Sequence, residues 1–201
     1  SFHKSIGLNF MQFIPCVETA VSGAGVESFS VDAASYGSFL CQMFDLWLAD
    51  FVDGTPTTSI RFFEALLFKY AGFPPTECTL LEACGNYLVV EHTGDVYACD
   101  FFVKPEWKLG NLLETPLPDM LNASQQVDLA RLKANLPENC KVCEWQMHCR
   151  GGCVKDRLRN PESTGQNHLC TAYKEFFPYA DSHLQTLVDT WKRKMQNEKI
   201  H

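Results

Sequence analysis

Four cysteines fall within fourteen residues, Cys140-Lys-Val-Cys143-Glu-Trp-Gln-Met-His-Cys149-Arg-Gly-Gly-Cys153, at the spacing C-x2-C-x5-C-x3-C. Two residues between thiols let a tight turn aim both sulfurs at one metal centre, and the other two can close on it or on a neighbour. Cys170 follows downstream, and Cys78, Cys84 and Cys99 form a second group upstream. Eight of the ten cysteines therefore lie in two clusters, enough thiolates for two four-ligand sites. Five disulfides are the alternative use of ten cysteines. Against them, C-x2-C spacing does not spread the thiols as staples, and a chain of 201 residues with 46% hydrophobic content can build a core without them. Reduced thiols point to a cytoplasmic location.

The charge balance narrows the partners. A net charge of -7 argues against a nucleic-acid backbone or an anionic membrane as the main partner. No apolar run approaches the roughly 18–20 residues that span a bilayer, and Ser1-Phe-His-Lys does not open a signal peptide. The first residues read directly as a strand, so the chain is expected to be a piece of something longer.

Taken in order, residues 6–14 read as a mostly buried strand ending at Pro15-Cys16, and residues 17–32 as an exposed Ser/Gly/Ala-rich loop. Ser35–Phe51 carries Phe39, Leu40, Met43, Phe44, Trp47, Leu48 and Phe51 at helical spacing, with a stop near Asp53-Gly54. A second helix is predicted over Ile60–Tyr70, ending at Gly72. Cys16 and Cys41 read as core residues rather than ligands. Residues 87–92 and 95–99 flank Thr93-Gly94 as a β-hairpin whose base brings Cys84 and Cys99 together. Lys104–Asn111 reads as a loop with a short strand, and Ser124–Leu136 as a helix delivering the chain to Cys140. Lys155–Asn167 is polar and loop-like. A closing helix from Ala172 to about Asn197 is expected to be interrupted near Pro178, with Leu184, Leu187, Val188 and Trp191 on one face. His92, His148 and His168 sit near the cysteines and read as hydrogen-bonding or surface residues. Tyr97, Phe101, Phe102 and Trp107 read as the core of a small domain.

Four thiolates can hold zinc or an iron–sulfur cluster. Zinc ribbons place two C-x2-C knuckles some 15–20 residues apart. Here there is one such knuckle, and the next cysteine waits five residues, which favours the larger cluster without excluding the ion.

The full pattern Cys84-x9-Gly94-x4-Cys99, gap, Cys140-x2-Cys143-x5-Cys149-x3-Cys153, gap, Cys170 resembles the seven-cysteine pattern of the SPASM domain of radical S-adenosylmethionine enzymes. The extra Cys78, the stretch Glu91–Asp100 and the strand end Gln12–Pro15 resemble, more narrowly, the anaerobic sulfatase-maturating enzymes. That resemblance implies an α+β fold: residues 1–72 as the end of a partial (β/α)6 barrel with linker helices, and residues 73–201 as the SPASM domain with a C-terminal helix. It implies one 4Fe–4S cluster on Cys78, Cys84, Cys99 and Cys153, and a second on Cys140, Cys143, Cys149 and Cys170. It implies Asp100 as the base in oxidation of a sulfatase Cys or Ser to Cα-formylglycine, where a radical abstracts hydrogen and an electron leaves through the clusters. S-adenosylmethionine, a third 4Fe–4S cluster and a carrier such as ferredoxin or flavodoxin complete the expected set. The radical motif C-x3-C-x2-C occurs nowhere in this sequence, so these residues alone are expected to be catalytically inert. A stand-alone electron-transfer module and a zinc-stabilised interaction domain are the competing readings.

Overall fold

Asp32 caps the first long helix: its side chain accepts a hydrogen bond from the Ser35 amide at 2.9 Å. In the computed structural model, which describes residues 2–22, 25–85, 87–159 and 165–198, a short helix α1 (Phe2–Ser5) and strand β1 (Phe10–Met11) precede this capped helix, α2 (Ala33–Leu48). The predicted stop at Asp53-Gly54 falls later than the real one. Those two residues, both at positive φ, turn a small hairpin of β2 (Phe51–Val52) and β3 (Thr55–Pro56). Strand β4 (Ser59–Ile60) pairs in parallel with β1 and leads into α3 (Arg61–Tyr70).

A three-stranded antiparallel sheet follows, ordered β5 (Val89–Val90), β6 (Asp95–Tyr97), β7 (Lys108–Asn111). Gly94, at φ 85°, donates its amide to the Glu91 carbonyl at 2.9 Å and closes the β5–β6 turn. The chain then runs through α4 (Leu117–Leu121), α5 (Ser124–Ala134), α6 (Glu138–Lys141), α7 (Gln146–Cys149) and α8 (Val154–Leu158) to the long α9 (Cys170–Glu198).

The main core joins α2, α3 and α9. Phe44, Trp47, Phe63, Phe176 and Phe177 are all nearly or fully buried there, with ring pairs mostly edge-on or tilted. Its members lie on both sides of residue 72. Gly37 lets α2 approach α9 closely, because a Cβ at that position would stand 3.1 Å from the Ala172 Cα. A smaller core beneath the sheet gathers Ala98, Cys99, Phe102, Leu129 and Val154.

Several expectations need correcting. Residues 6–14 are not a buried strand: only Phe10–Met11 pair, and Phe10 is 86% exposed. An apolar run tells that a surface needs covering, but not what covers it. Cys16 is exposed rather than in the core, while Cys41 packs against the main core. Helix α9 passes through Pro178 without a break. Pro178 lies on the exposed side, where water can serve the carbonyl that loses its amide partner. The buried stripe of that helix is Tyr173, Phe176, Phe177, Ala180, Leu184 and Val188, and Trp191 is largely exposed. The predicted loop at Lys155–Asn167 starts as helix α8, with Lys155, Asp156 and Arg157 buried; its residues 160–164 lie outside those described.

Candidate functional site

All ten cysteines are free thiols. Cys78 starts a 3-10 turn, Cys84 precedes the sheet, Cys99 follows β6, and Cys153 stands as the N-cap of α8. These four segments bring their thiols onto one small void of about 30 Å³, walled by Ala98, Phe102, Leu129 and Val154. The second set stays apart. Cys140 lies in α6, Cys143 just beyond it, Cys149 ends α7, and Cys170 opens α9. A negative charge on Cys170 acts on both Cys140 and Cys149, and one on Cys143 acts on Cys140, so the set is electrostatically coupled.

The turn between Cys149 and Cys153 explains how neighbours in sequence reach different places. Arg150, Gly151 and Gly152 are successively left-handed, at φ 50°, 73° and 64°. Three such residues reverse the chain within one short loop, which L-residues other than glycine resist. Asn167 holds the loop, donating to the Gly151 and Cys153 carbonyls at 3.3 and 3.4 Å and accepting from the Leu169 amide at 2.7 Å. A Cβ on Gly152 would collide with the Asn167 amide and stand 3.3 Å from the Tyr173 ring. Gly152→Ala is therefore expected to cost about 1–3 kcal/mol of stability, read as a lowered denaturation midpoint. An unchanged midpoint would show that the loop is not the constraint described.

Burial pushes the Cys99 and Cys149 thiols up to about 11 and the Cys153 thiol up to about 12, because a thiolate is costly away from water. Cys78, Cys84 and Cys140 shift in the same direction and for the same main reason. Positive charge opposes this: Lys133 acts on Cys78, Cys84 and Cys149, and Arg157 on Cys84 and Cys140. A bound metal would supply the rest of the stabilisation, with release of the thiol protons. The all-thiol donor set suits iron–sulfur clusters or zinc. Among the described residues no three of His, Cys, Asp and Glu converge tightly enough for a single ion. In a cluster the four thiolates attach to separate irons and stand wider.

Beside the first set opens a cavity of about 450 Å³. Asp100, directly after Cys99, lines it together with Tyr87, Arg61, Glu77 and the strand end Gln12–Pro15. The Tyr87 hydroxyl donates to Asp100 Oδ1 at 3.2 Å and lies 3.4 Å from the Cys99 sulfur. Burial and the adjoining negative groups raise the Tyr87 phenol far above its ordinary range, so it stays a donor. Arg61 pairs with Glu77 at 3.1 Å and donates to Gln12 Oε1 at 3.4 Å, tying the cavity wall to the strand end. On the floor Lys155 holds Asp156 at 2.6 Å, donates to the Pro15 carbonyl at 3.3 Å and lies 4.8 Å over the Phe101 ring.

Residues 78–144 match the family model described as SPASM, iron–sulfur cluster-binding domain. Over that stretch the chain is similar to SPASM domains. Across nearly its whole length it is also similar to anaerobic sulfatase-maturating enzymes. It is 32% identical to the serine-type enzyme of Bacteroides thetaiotaomicron, covering 99% of this chain and 50% of the relative. It is 32% identical to the cysteine-type enzyme of Clostridium perfringens (strain ATCC 13124), covering 95% and 52%. The solved structure "Native anSMEcpe with bound AdoMet" superposes with a TM-score of 0.82 at 32% identity, over 94% of this chain and 51% of that one. The chain thus spans about half the length of the relatives it matches, and over that half it shares their α+β fold.

The three histidines that lie near the cysteines in sequence make their contacts outside the thiol sets. His148 stacks on Tyr70 with ring centres 4.4 Å apart, His168 Nε2 contacts the Val31 carbonyl at 3.1 Å, and His92 is exposed. Phe102 is core, whereas Phe101 borders both cavities. Sequence reasoning missed Tyr87, Arg61, Glu77, Lys133 and Lys155. For Lys133 a signal existed: it continues the Gln126, Leu129 face of α5, where burial is expected.

Proposed function

We propose that this chain is the auxiliary-cluster part of a sulfatase-maturating enzyme that oxidises a Cys or Ser side chain of a sulfatase to Cα-formylglycine. Cys78, Cys84, Cys99 and Cys153 would hold one 4Fe–4S cluster, and Cys140, Cys143, Cys149 and Cys170 the other. The observation that carries this reading is the convergence of the first four thiols, from distant segments, on one void beside the cavity that Asp100 lines. When bound, four-thiolate clusters supply one-electron transfer, and full cysteine ligation leaves no iron open to substrate.

The chain's own residues would do the remaining work on these atoms. Asp100 would be the carboxylate that accepts the proton, with the Tyr87 hydroxyl, which donates to its Oδ1 at 3.2 Å, fixing its position. The Arg61–Glu77 pair and Lys155 hold the strand end Gln12–Pro15 against the cavity. The S-adenosylmethionine-cleaving motif would come from residues outside this sequence, and a small electron carrier would take up the electron.

The test is iron, sulfide and zinc per chain on anaerobically reconstituted protein, with its visible spectrum. About eight irons and eight sulfides, with a shoulder near ~400 nm, are expected for two four-thiolate clusters. About two zincs and no iron after reconstitution would overturn the cluster reading and leave a structural zinc module.

A further inference from the structure

Lys133 is 1% exposed, at a position of α5 where an apolar side chain would ordinarily pack. Its ammonium donates to three backbone carbonyls: Thr79 and Arg150, each at 2.8 Å, and Gly152. Those carbonyls adjoin Cys78, Cys149 and Cys153, so one side chain ties together segments that serve both thiol sets. Arg157, buried in α8, likewise spends its guanidinium on backbone carbonyls, those of Lys133, Asn135 and Gly165.

Among the described residues neither cation takes part in a salt bridge. A buried charge without a counter-charge is strongly unfavourable, and carbonyl dipoles relieve only part of that cost. The acidic groups acting on these cations are thiols. Cys84, Cys149 and Cys153 act on Lys133, and Cys140, Cys84 and Cys153 act on Arg157. Each cation thus faces members of both sets. The two also repel each other, an arrangement that makes sense where negative charge is placed on either side of them.

We propose that Lys133 and Arg157 form a buried cationic bridge between the two cysteine sets that stabilises the reduced state of both bound clusters. The inference rests on the two-cluster reading above. Reduction adds one negative charge to a cluster whose ligands are already anionic. Fixed positive charge in a water-poor interior favours that state, as hydrogen bonding and local charge generally tune such potentials. Because both cations are locked by backbone carbonyls, the bias requires no rearrangement as an electron arrives or leaves.

The experiment is an anaerobic redox titration of the reconstituted protein followed by electron paramagnetic resonance, with iron content measured alongside. Wild-type protein that binds no iron would overturn the cluster reading itself. With iron bound, Lys133→Gln removes the charge and leaves an amide with two N–H donors where the ammonium served three carbonyls. It is expected to lower the reduction equilibrium constant of both clusters about tenfold, a shift of about 59 mV toward more negative potential for a one-electron couple. Full iron content with unchanged potentials, or a shift confined to one cluster, would reduce Lys133 to a backbone clamp and overturn the bridge. Should Lys133→Gln fail to fold or load, Arg157→Gln reads the same quantity. A negative shift in both clusters supports the proposal, and unchanged potentials overturn it.

Discussion

On the proposed function, Asp100→Asn in the full-length protein is expected to lower formylglycine formation at least a hundredfold, within the usual range of about 10²–10⁴ for loss of a general base. Its iron content should stay at the wild-type level. The substitution preserves shape and can still accept the Tyr87 hydroxyl hydrogen bond, whose present length is 3.2 Å. It removes the ability to take up a proton at the only atoms changed. Cys99 next door keeps its place, because Ala98 and Phe102 around it are buried and the sheet is untouched. Mass spectrometry of a sulfatase-derived peptide measures the product, and iron analysis shows that the sites are intact. Turnover near the wild-type rate would take the role of base away from Asp100. Equal loss of iron and activity would make it a structural residue of the Cys99 turn.

Phe44→Ala is expected to cost about 3–5 kcal/mol, the range for emptying a fully buried aromatic site. Phe44 has no exposed surface and packs edge-on against Phe63 and Phe176, with ring centres 5.2 and 5.6 Å apart. It thus sits where α2, α3 and α9 meet, and α9 is the helix whose first residue is Cys170. On the two-cluster proposal, the same variant should accordingly lose iron at the set that includes Cys170. Phe29, 66% exposed, provides the control: Phe29→Ala should change stability by no more than about 0.5 kcal/mol. Urea or thermal unfolding compares the two. Similar midpoints for both variants would mean that the three-helix joint is not the main source of stability.

These expectations show where the sequence was informative. Helices α2 and α3 were legible because apolar residues recur at helical spacing and Gly72 marks the end of α3, whereas the Asp32 cap of α2 went unread. The β5–β6 turn was legible from Gly94, and the convergence of Cys78, Cys84, Cys99 and Cys153 on one void follows a grouping that only the family pattern, not spacing, offered. Buried charge was not legible. Lys155, Asp156 and Arg157 read as a solvated loop, because nothing local announces that carbonyls from Pro15, Lys133 and Gly165 will accept from Lys155 and Arg157, or that Asp156 will pair with Lys155. Lys133 was overlooked although its place on the Gln126, Leu129 face of α5 pointed inward, because a lysine ordinarily marks a solvated position. The first strand erred in the opposite direction: residues 6–14 carry the apolar content of an interior segment, yet within these residues they have little to pack against. Burial is a property of partners distant in sequence, and periodicity reports only the face that asks for them.

The left-handed loop at residues 150–152 also limits how this chain can be divided. It returns Cys153 to a void whose other thiols end at Cys99, after the chain has passed through Cys140, Cys143 and Cys149. The stretch matched by the family model, residues 78–144, stops before that return. Recognition and self-sufficiency therefore have different boundaries: a segment cut at residue 144 would retain the signature and lack the thiol that completes the first set. On the proposed sets, transplanting this module into another protein requires the span from Cys78 through Cys170 as an indivisible length, which passes three times between two compartments.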